Sequence, residues 1–263
     1  MSGFLVINPR SGKGRPDASE LRAEAERLGI TTHLLDPDDD AAELAGAADA
    51  PLGVAGGDGS IAAVADVAIE RDVPMVVVPF GTRNHFARDL GLEPDDPLEA
   101  LRAFSGTERQ VDVGRVNNRL FLNNVSLGLY ARLVHRRESH RRRREVFARL
   151  RALAKLLRHP GPLGVTIDGQ PVEARVVLVA NNHYNLDLFS VGERERLDEG
   201  LLHLNVAHGW LPRTWEEQTG EKFTVDARAG RLRAAIDGEP EDLETPLRFE
   251  VQPRALRVLV PEG

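Results

Sequence analysis

The chain has 263 residues, 41% of them hydrophobic and 29% charged, a formal charge of −7, and no cysteine. That is enough apolar material for one large or two ordinary cores, which excludes a disordered tail, a collagen-like repeat and a bare coiled coil. The missing cysteines exclude a disulfide framework, a thiolate zinc site and a cysteine nucleophile. No apolar run approaches the roughly 18 residues needed to cross a bilayer. The first strand begins at Phe4 with no signal peptide ahead of it, so the reading is of a soluble, cytoplasmic protein.

In chain order, the first third alternates strands with helices. Phe4 to Asn8 reads as a strand, and Leu21, Ala25 and Leu28 mark one face of a helix. Thr31 to Leu35 is the second strand, with a helix over 41–48. Leu52 to Ala55 is the third, followed by a helix over Ile61 to Glu70. Pro74 to Val78 is the fourth, followed by helices over 84–90 and 98–104. This alternation predicts a doubly wound, mostly parallel α/β sheet. Strands apolar along their whole length fit a sheet covered on both faces.

After about Val111 the texture changes. Residues 121–125, 164–167, 172–180, 201–207, 222–225, 232–236, 247–251 and 256–260 read as strands. They are separated by turns such as Asp168-Gly169, Asp237-Gly238 and Pro253-Arg254. Many short strands with hairpin turns predict a C-terminal antiparallel β-sandwich. The expected domains are therefore 1–112 and 113–263.

Three turns follow strands of the α/β half. In Gly56-Gly57-Asp58-Gly59-Ser60 the glycines allow close backbone approach, and the next helix offers free N–H groups, a junction suited to phosphate. A carboxylate at Asp58 beside phosphate calls for a divalent cation or a water network; alternatively, Asp58 caps the helix of an ordinary tight turn. In the second turn, 79–86, Thr82 or Asn84 could cap the helix, or the Thr82 hydroxyl could donate to a phosphate. The third, Asn8-Pro9-Arg10-Ser11-Gly12-Lys13-Gly14, is neither a P-loop nor a dinucleotide fingerprint. Ile7 stands where a P-loop needs glycine, and Gly14 where it needs Ser or Thr. A basic phosphate loop and a plain surface loop both fit it. Neighbouring turns at the carboxyl ends of strands mark the crevice where open α/β sheets bind ligands.

Taken together, NPRSG, GGDGSIAAV and PFGTRNHFARDLGL resemble the catalytic domain of the diacylglycerol kinase family, which includes bacterial lipid kinases and sphingosine and ceramide kinases. Val111-Asp112-Val113-Gly114, Asn181-Asn182, 196–201 and Ile236-Asp237-Gly238-Glu239 follow in the expected order, so the resemblance runs through most of the chain. It implies a two-domain lipid kinase binding ATP between domains, through Asn8, Pro9, Arg10, Ser11, Gly12, then Gly56, Gly57, Asp58, Gly59, Ser60, Ile61, Ala62, and Thr82. It implies that 113–263 receives the lipid and that Asp237 is the general base for a lipid hydroxyl. By residues alone, Asp237-Gly238 is a hairpin turn. The resemblance further implies Mg²⁺ on Glu199, with Arg196 and Leu201 as carbonyl ligands, and a water-mediated network of Asp58 and Asp112 near the phosphates. Where many members carry Asn-Asp-Phe this chain has Asn84-His85-Phe86, and a neutral imidazole is no oxygen ligand for a hard cation.

Between Arg132 and His159 stand ten Arg and one Lys against Glu138 and Glu145, a local +9 that leaves −16 on the rest. Val146, Leu150, Leu153 and Leu157 fall on one helical face. The segment fits either a solvated helix packed by that stripe or a peripheral contact with an anionic membrane, the inner membrane surface for a cytoplasmic protein. The acidic remainder and scarce aromatics argue against nucleic acid. Trp210 and Trp215 either line a lipid pocket or fill a loop. The absence of an HExxH pair and of a GxSxG elbow argues against zinc hydrolase and serine esterase chemistry. The alternatives to a lipid kinase are a catalytically weak nucleotide- or lipid-binding protein and a kinase of a soluble hydroxyl such as NAD. Exposed strand edges would permit a homodimer.

Overall fold

The computed structural model describes residues 3–12, 16–82, 84–128, 163–184, 194–208 and 215–262. The basic segment 132–159, together with Lys13, Gly14, Arg83 and Trp210, lies outside the described residues. The chain divides into two compact units, one of 1–113, 192–199 and 252–263, the other of 114–191 and 200–251.

The first unit runs β1 (Phe4–Ile7), α1 (Ala18–Arg27), β2 (Thr31–Leu34), α2 (Ala41–Ala47), β3 (Leu52–Gly56), α3 (Asp58–Glu70), β4 (Met75–Pro79), α4 (His85–Asp89) and α5 (Pro97–Ala100), then a 3-10 turn, Leu101–Ser105. Its strands lie parallel in the order β2-β1-β3-β4. Every residue of β3 and β4 is buried, as strands covered on both faces require. Leu5, Ile7, Val76 and Val78 form one core with Leu21 and Ala25 of α1 and with Ala100 and Leu101. Alternation turns Val6, Val54 and Val77, also fully buried, to the opposite face. Helix α1 starts with a capping box between Asp17 and Glu20, which satisfies otherwise orphaned N–H groups. The helical stretch expected over 98–104 is one short helix followed by the 3-10 turn.

Later in the chain come β5 (Thr107–Val116), β6 (Arg119–Phe121), β7 (Asn124–Gly128), β8 (Val165–Ile167), β9 (Gln170–Val172), β10 (Val176–Asn181), β11 (Leu202–Ala207), β12 (Trp215–Gly220), β13 (Lys222–Ala227), β14 (Arg231–Ile236), β15 (Glu239–Glu244) and β16 (Leu247–Val260). In the second unit, β12-β11-β10-β7-β14-β15 form one antiparallel sheet. Strand β13 pairs antiparallel with β8 and with the start of β16. Val125, Val179, Leu204 and Leu232 share a core with Ile167, Phe223, Val225 and Phe249, and Phe121 meets Phe249 edge to face with centroids 6.4 Å apart. Two sheets enclosing one core make the expected sandwich.

Other expectations change as well. Residues 247–260 form one strand, not two strands parted at Pro253-Arg254. There Arg254 takes φ +52 and its N–H donates to the Asp112 carboxylate at 2.7 Å, which absorbs the kink locally. The expected strand over 172–180 is broken between β9 and β10. Trp215, read as loop or pocket lining, lies on the edge strand β12. The end of β16 runs parallel to β4, with Val258 beside Met75, so residues from the chain's last segment belong with the first unit.

Candidate active site

The carboxyl ends of β1, β3 and β4 bring three turns of the first unit together. After β1, the Asn8 amide reaches the Ser60 hydroxyl at 3.1 Å, while its Oδ1 accepts from the Arg10 N–H at 3.1 Å. One side chain thereby shapes its own turn and fixes it to the glycine turn. Pro9 and Arg10 are exposed, and Ser11 and Gly12 half-buried. Gly12 lies against the Phe80 ring so closely that a Cβ would come within 2.4 Å of it.

The helix after β3 begins three residues earlier than Ile61. Gly57 occupies the N-cap without a side-chain cap, and Asp58, Gly59 and Ser60 form the first turn. Asp58 therefore does not cap α3. It stands buried at the positive end of the helix, where a carboxylate is favoured. Ile61 is wholly buried, and Ala62 is half-buried. A Cβ on Gly81 would lie 2.7 Å from Gly57 Cα and 3.2 Å from Gly56 O. Such backbone-to-backbone contact is open to glycine alone.

Of the two expected caps of α4, Asn84 takes the N-cap position but makes no side-chain cap bond. It sits there with φ +49, and its side chain folds back: Oδ1 accepts from Gly81 N–H at 2.9 Å and Nδ2 donates to Gly81 O at 3.1 Å. Thr82 is exposed. One turn along α4, Asp89 is buried against Arg194, whose Nε and Nη2 reach Oδ2 at 2.8 and 2.6 Å. Burial pushes the Asp89 carboxyl above its ordinary value, against the pull of the guanidinium.

Asp112, buried on β5, accepts Arg254 N–H, and its own N–H donates to Leu197 O at 2.7 Å. Arg196 and Glu199 follow in the same unit. The Arg196 guanidinium pairs with Asp198 at 3.1 Å, and Glu199 is half-buried. The Leu201 carbonyl accepts Asn182 N–H at 3.0 Å, which leaves its second lone pair for a ligand. No group of three or more acidic, His or Cys side chains suited to a metal occurs among the described residues. One carboxylate plus carbonyl oxygens fits Mg²⁺, which keeps most of its waters, and does not fit an all-protein cage.

In the second unit, Asp237-Gly238 forms the two-residue hairpin between β14 and β15, both residues at positive φ. The buried Asp237 carboxylate accepts three backbone N–H groups: Leu122 at 2.8 Å on Oδ2, and Asn123 and Asn124 at 2.7 and 3.0 Å on Oδ1. This interrupts the strand expected over 121–125. Asn181, fully buried, donates to Leu122 O at 3.1 Å and so braces the same turn. Sequence reasoning missed that bracing role, as it missed the buried His203, held by Glu217 at 2.7 Å.

Residues 2–116 match the family model described as "Diacylglycerol kinase catalytic domain". Among curated proteins, the chain is 29% identical over 243 residues to "Probable lipid kinase YegS-like" of Pseudomonas aeruginosa, covering 81% of this chain and 78% of that one. It is 30% identical over 142 residues to "Diacylglycerol kinase" of Bacillus subtilis, covering 50% and 47%. A solved structure titled as a diacylglycerol kinase from Bacillus anthracis superposes with a TM-score of 0.70 at 19% identity, over 98% of this chain and 96% of that one. That last likeness concerns the fold.

Proposed function

We propose that this chain, whose residues 2–116 match the diacylglycerol kinase catalytic-domain model, transfers the γ-phosphoryl group of ATP, with Mg²⁺, to the hydroxyl of a lipid alcohol. The observation that carries the reading is the convergence of three turns at the carboxyl ends of β1, β3 and β4, with the N-terminus of α3 uncapped by any side chain. Backbone N–H groups there suit phosphate oxygens, and phosphoryl transfer asks chiefly for positioning and charge neutralisation.

In this scheme Asn8 to Gly12, Gly56 to Ala62 and Thr82 hold the nucleotide. Asp58 and Asp112 order waters near the phosphates. Glu199, with the Arg196 and Leu201 carbonyls, holds the cation, which when bound neutralises phosphate charge. Asp237 accepts the proton of the lipid hydroxyl as its oxygen bonds to the γ-phosphorus and ADP departs. Three N–H donors fix the orientation of that carboxylate before substrate arrives. The segment 132–159 is the proposed contact with an anionic membrane surface. No helix among the described residues is long and apolar enough to cross a membrane.

The test is total lipid extract incubated with the protein, Mg²⁺ and ATP labelled in the γ-phosphoryl group, read by mass spectrometry. A labelled phospholipid is the expected product. Label appearing in a soluble metabolite would shift the acceptor class, and ATP binding without any transfer would leave a binding module.

A further inference from the structure

The Asp89–Arg194 pair has no part in the scheme above, yet its side chains are the most deeply buried ion pair among the described residues, 4% and 0% exposed. Two details set it apart from a pair that merely stabilises. Arg194 uses Nε and Nη2 on Oδ2, and its backbone N–H also lies 3.4 Å from Oδ1, so the main chain is registered along with the side chain. Both residues belong to the first unit but lie 105 positions apart, one on the helix behind the Gly81–Asn84 turn and the other at the start of a returning segment. A buried ion pair offers little net stability over an apolar pair of the same volume, so its particular contribution is geometric.

That returning segment is fixed at further points. Leu197 is buried and its carbonyl accepts Asp112 N–H; Asp198 stands 3.1 Å from Arg196 and 4.0 Å from Arg254, whose own N–H lies on the Asp112 carboxylate. Glu199 comes next in the chain. We propose that Asp89 and Arg194 are positioning residues that lock segment 194–199 onto α4, and so set the place of Glu199 for the divalent cation that accompanies the nucleotide. The inference rests on the proposed function for the cation's role.

The test uses the full chain. Asp89→Val with Arg194→Met removes both charges together with little change in the paired volume, so no lone buried charge is left to unfold the site. Mn²⁺ binding in the presence of a non-hydrolysable ATP analogue is followed by electron paramagnetic resonance, and Asp112 amide exchange by NMR. The double variant is expected to bind Mn²⁺ roughly tenfold more weakly, the usual scale for groups that orient metal ligands. Asp112 amide exchange should quicken, the KM for Mg·ATP should rise, and the KM for lipid should stay unchanged. Wild-type Mn²⁺ affinity and Asp112 exchange in the folded double variant would overturn the proposal, as would an equal loss of lipid affinity. Should the double variant not fold, Arg194→Lys decides, since it keeps the charge without the fork. Weakened Mn²⁺ binding there supports the proposal, and wild-type binding overturns it. A wild-type protein that binds no Mn²⁺ with the analogue would take the function down together with the inference; a variant matching a binding-competent wild type defeats the inference alone.

Discussion

Asp237 serves its hairpin and its proposed chemistry with the same two oxygens. Position 237 needs a residue tolerant of positive φ, which Asp and Asn both are. Replacing Asp237 with Asn therefore keeps the turn but puts an NH₂ group where backbone N–H groups point. At least one of the Leu122, Asn123 and Asn124 donors loses its acceptor, a cost of about 1–3 kcal/mol. We expect Asp237→Asn to lower phosphoryl transfer by roughly 10²-fold or more while ATP binding stays near wild type. Calorimetric titration with ATP, alongside thermal melting, separates lost chemistry from a loosened turn. Near wild-type turnover would remove Asp237 from the reaction. Gly81 is the second residue whose identity is imposed by its surroundings. A methyl group at Gly81 has backbone on two sides, so Gly81→Ala must push the Gly56-Gly57 turn aside. A destabilisation of about 1–3 kcal/mol is expected with weakened ATP binding, measured by denaturant titration and by equilibrium binding.

Among the elements, β5 and β16 are joined near their outer ends by Arg257. Its guanidinium holds Glu108 at 2.8 Å and donates to Asp72 O at 3.0 Å. The hydrogen bond from Arg257 holds the Glu108 carboxyl below its ordinary value. A carboxylate lowered on folding stabilises the native state above its unfolded pKa, about 4.3, and loses that contribution as pH falls through the lower folded value. Wild type should exceed Glu108→Gln in melting temperature at neutral pH, and the gap should close in acid. A gap constant from pH 7 to pH 3 would contradict the assignment. Elements also differ in how far the sequence foretold them. Strands β1, β3 and β4 were legible because buried parallel strands are apolar throughout, and their glycine and asparagine turns were legible as breaks in that pattern. The break at Leu122-Asn123 was not, since its cause is a carboxylate 115 residues away. Asp89 with Arg194 was equally hidden: neither residue carries a local signal, and only the tertiary fold pairs them.

At the scale of the whole molecule, what an acidic chain does with its sheet edges becomes the question. In the six-stranded sheet of the second unit the edge strands are β12 and β15. Strand β15 reads EPEDLE, with Glu239, Pro240, Asp242 and Glu244 exposed and only Leu243 buried. No periodic apolar signal marks such a strand, and sequence reasoning passed over it for that reason. Its composition has a separate consequence. A bare edge offers unpaired N–H and C=O groups to any other chain, whereas like charges and a proline oppose a second copy pairing there. Replacing Glu239, Asp242 and Glu244 with Thr keeps Leu243 in the core, raises strand propensity and removes three negative charges from the edge. The triple variant should form larger species as concentration rises, seen by light scattering coupled to size-exclusion chromatography, while wild type keeps one mass over the same range at the same salt. A triple variant matching wild type at every concentration would mean that these acids do not guard the edge. Restoring Asp242 alone then measures how much one charge contributes, because it lies 3.7 Å from Arg233 and is partly neutralised, so it should protect less than Glu239 or Glu244.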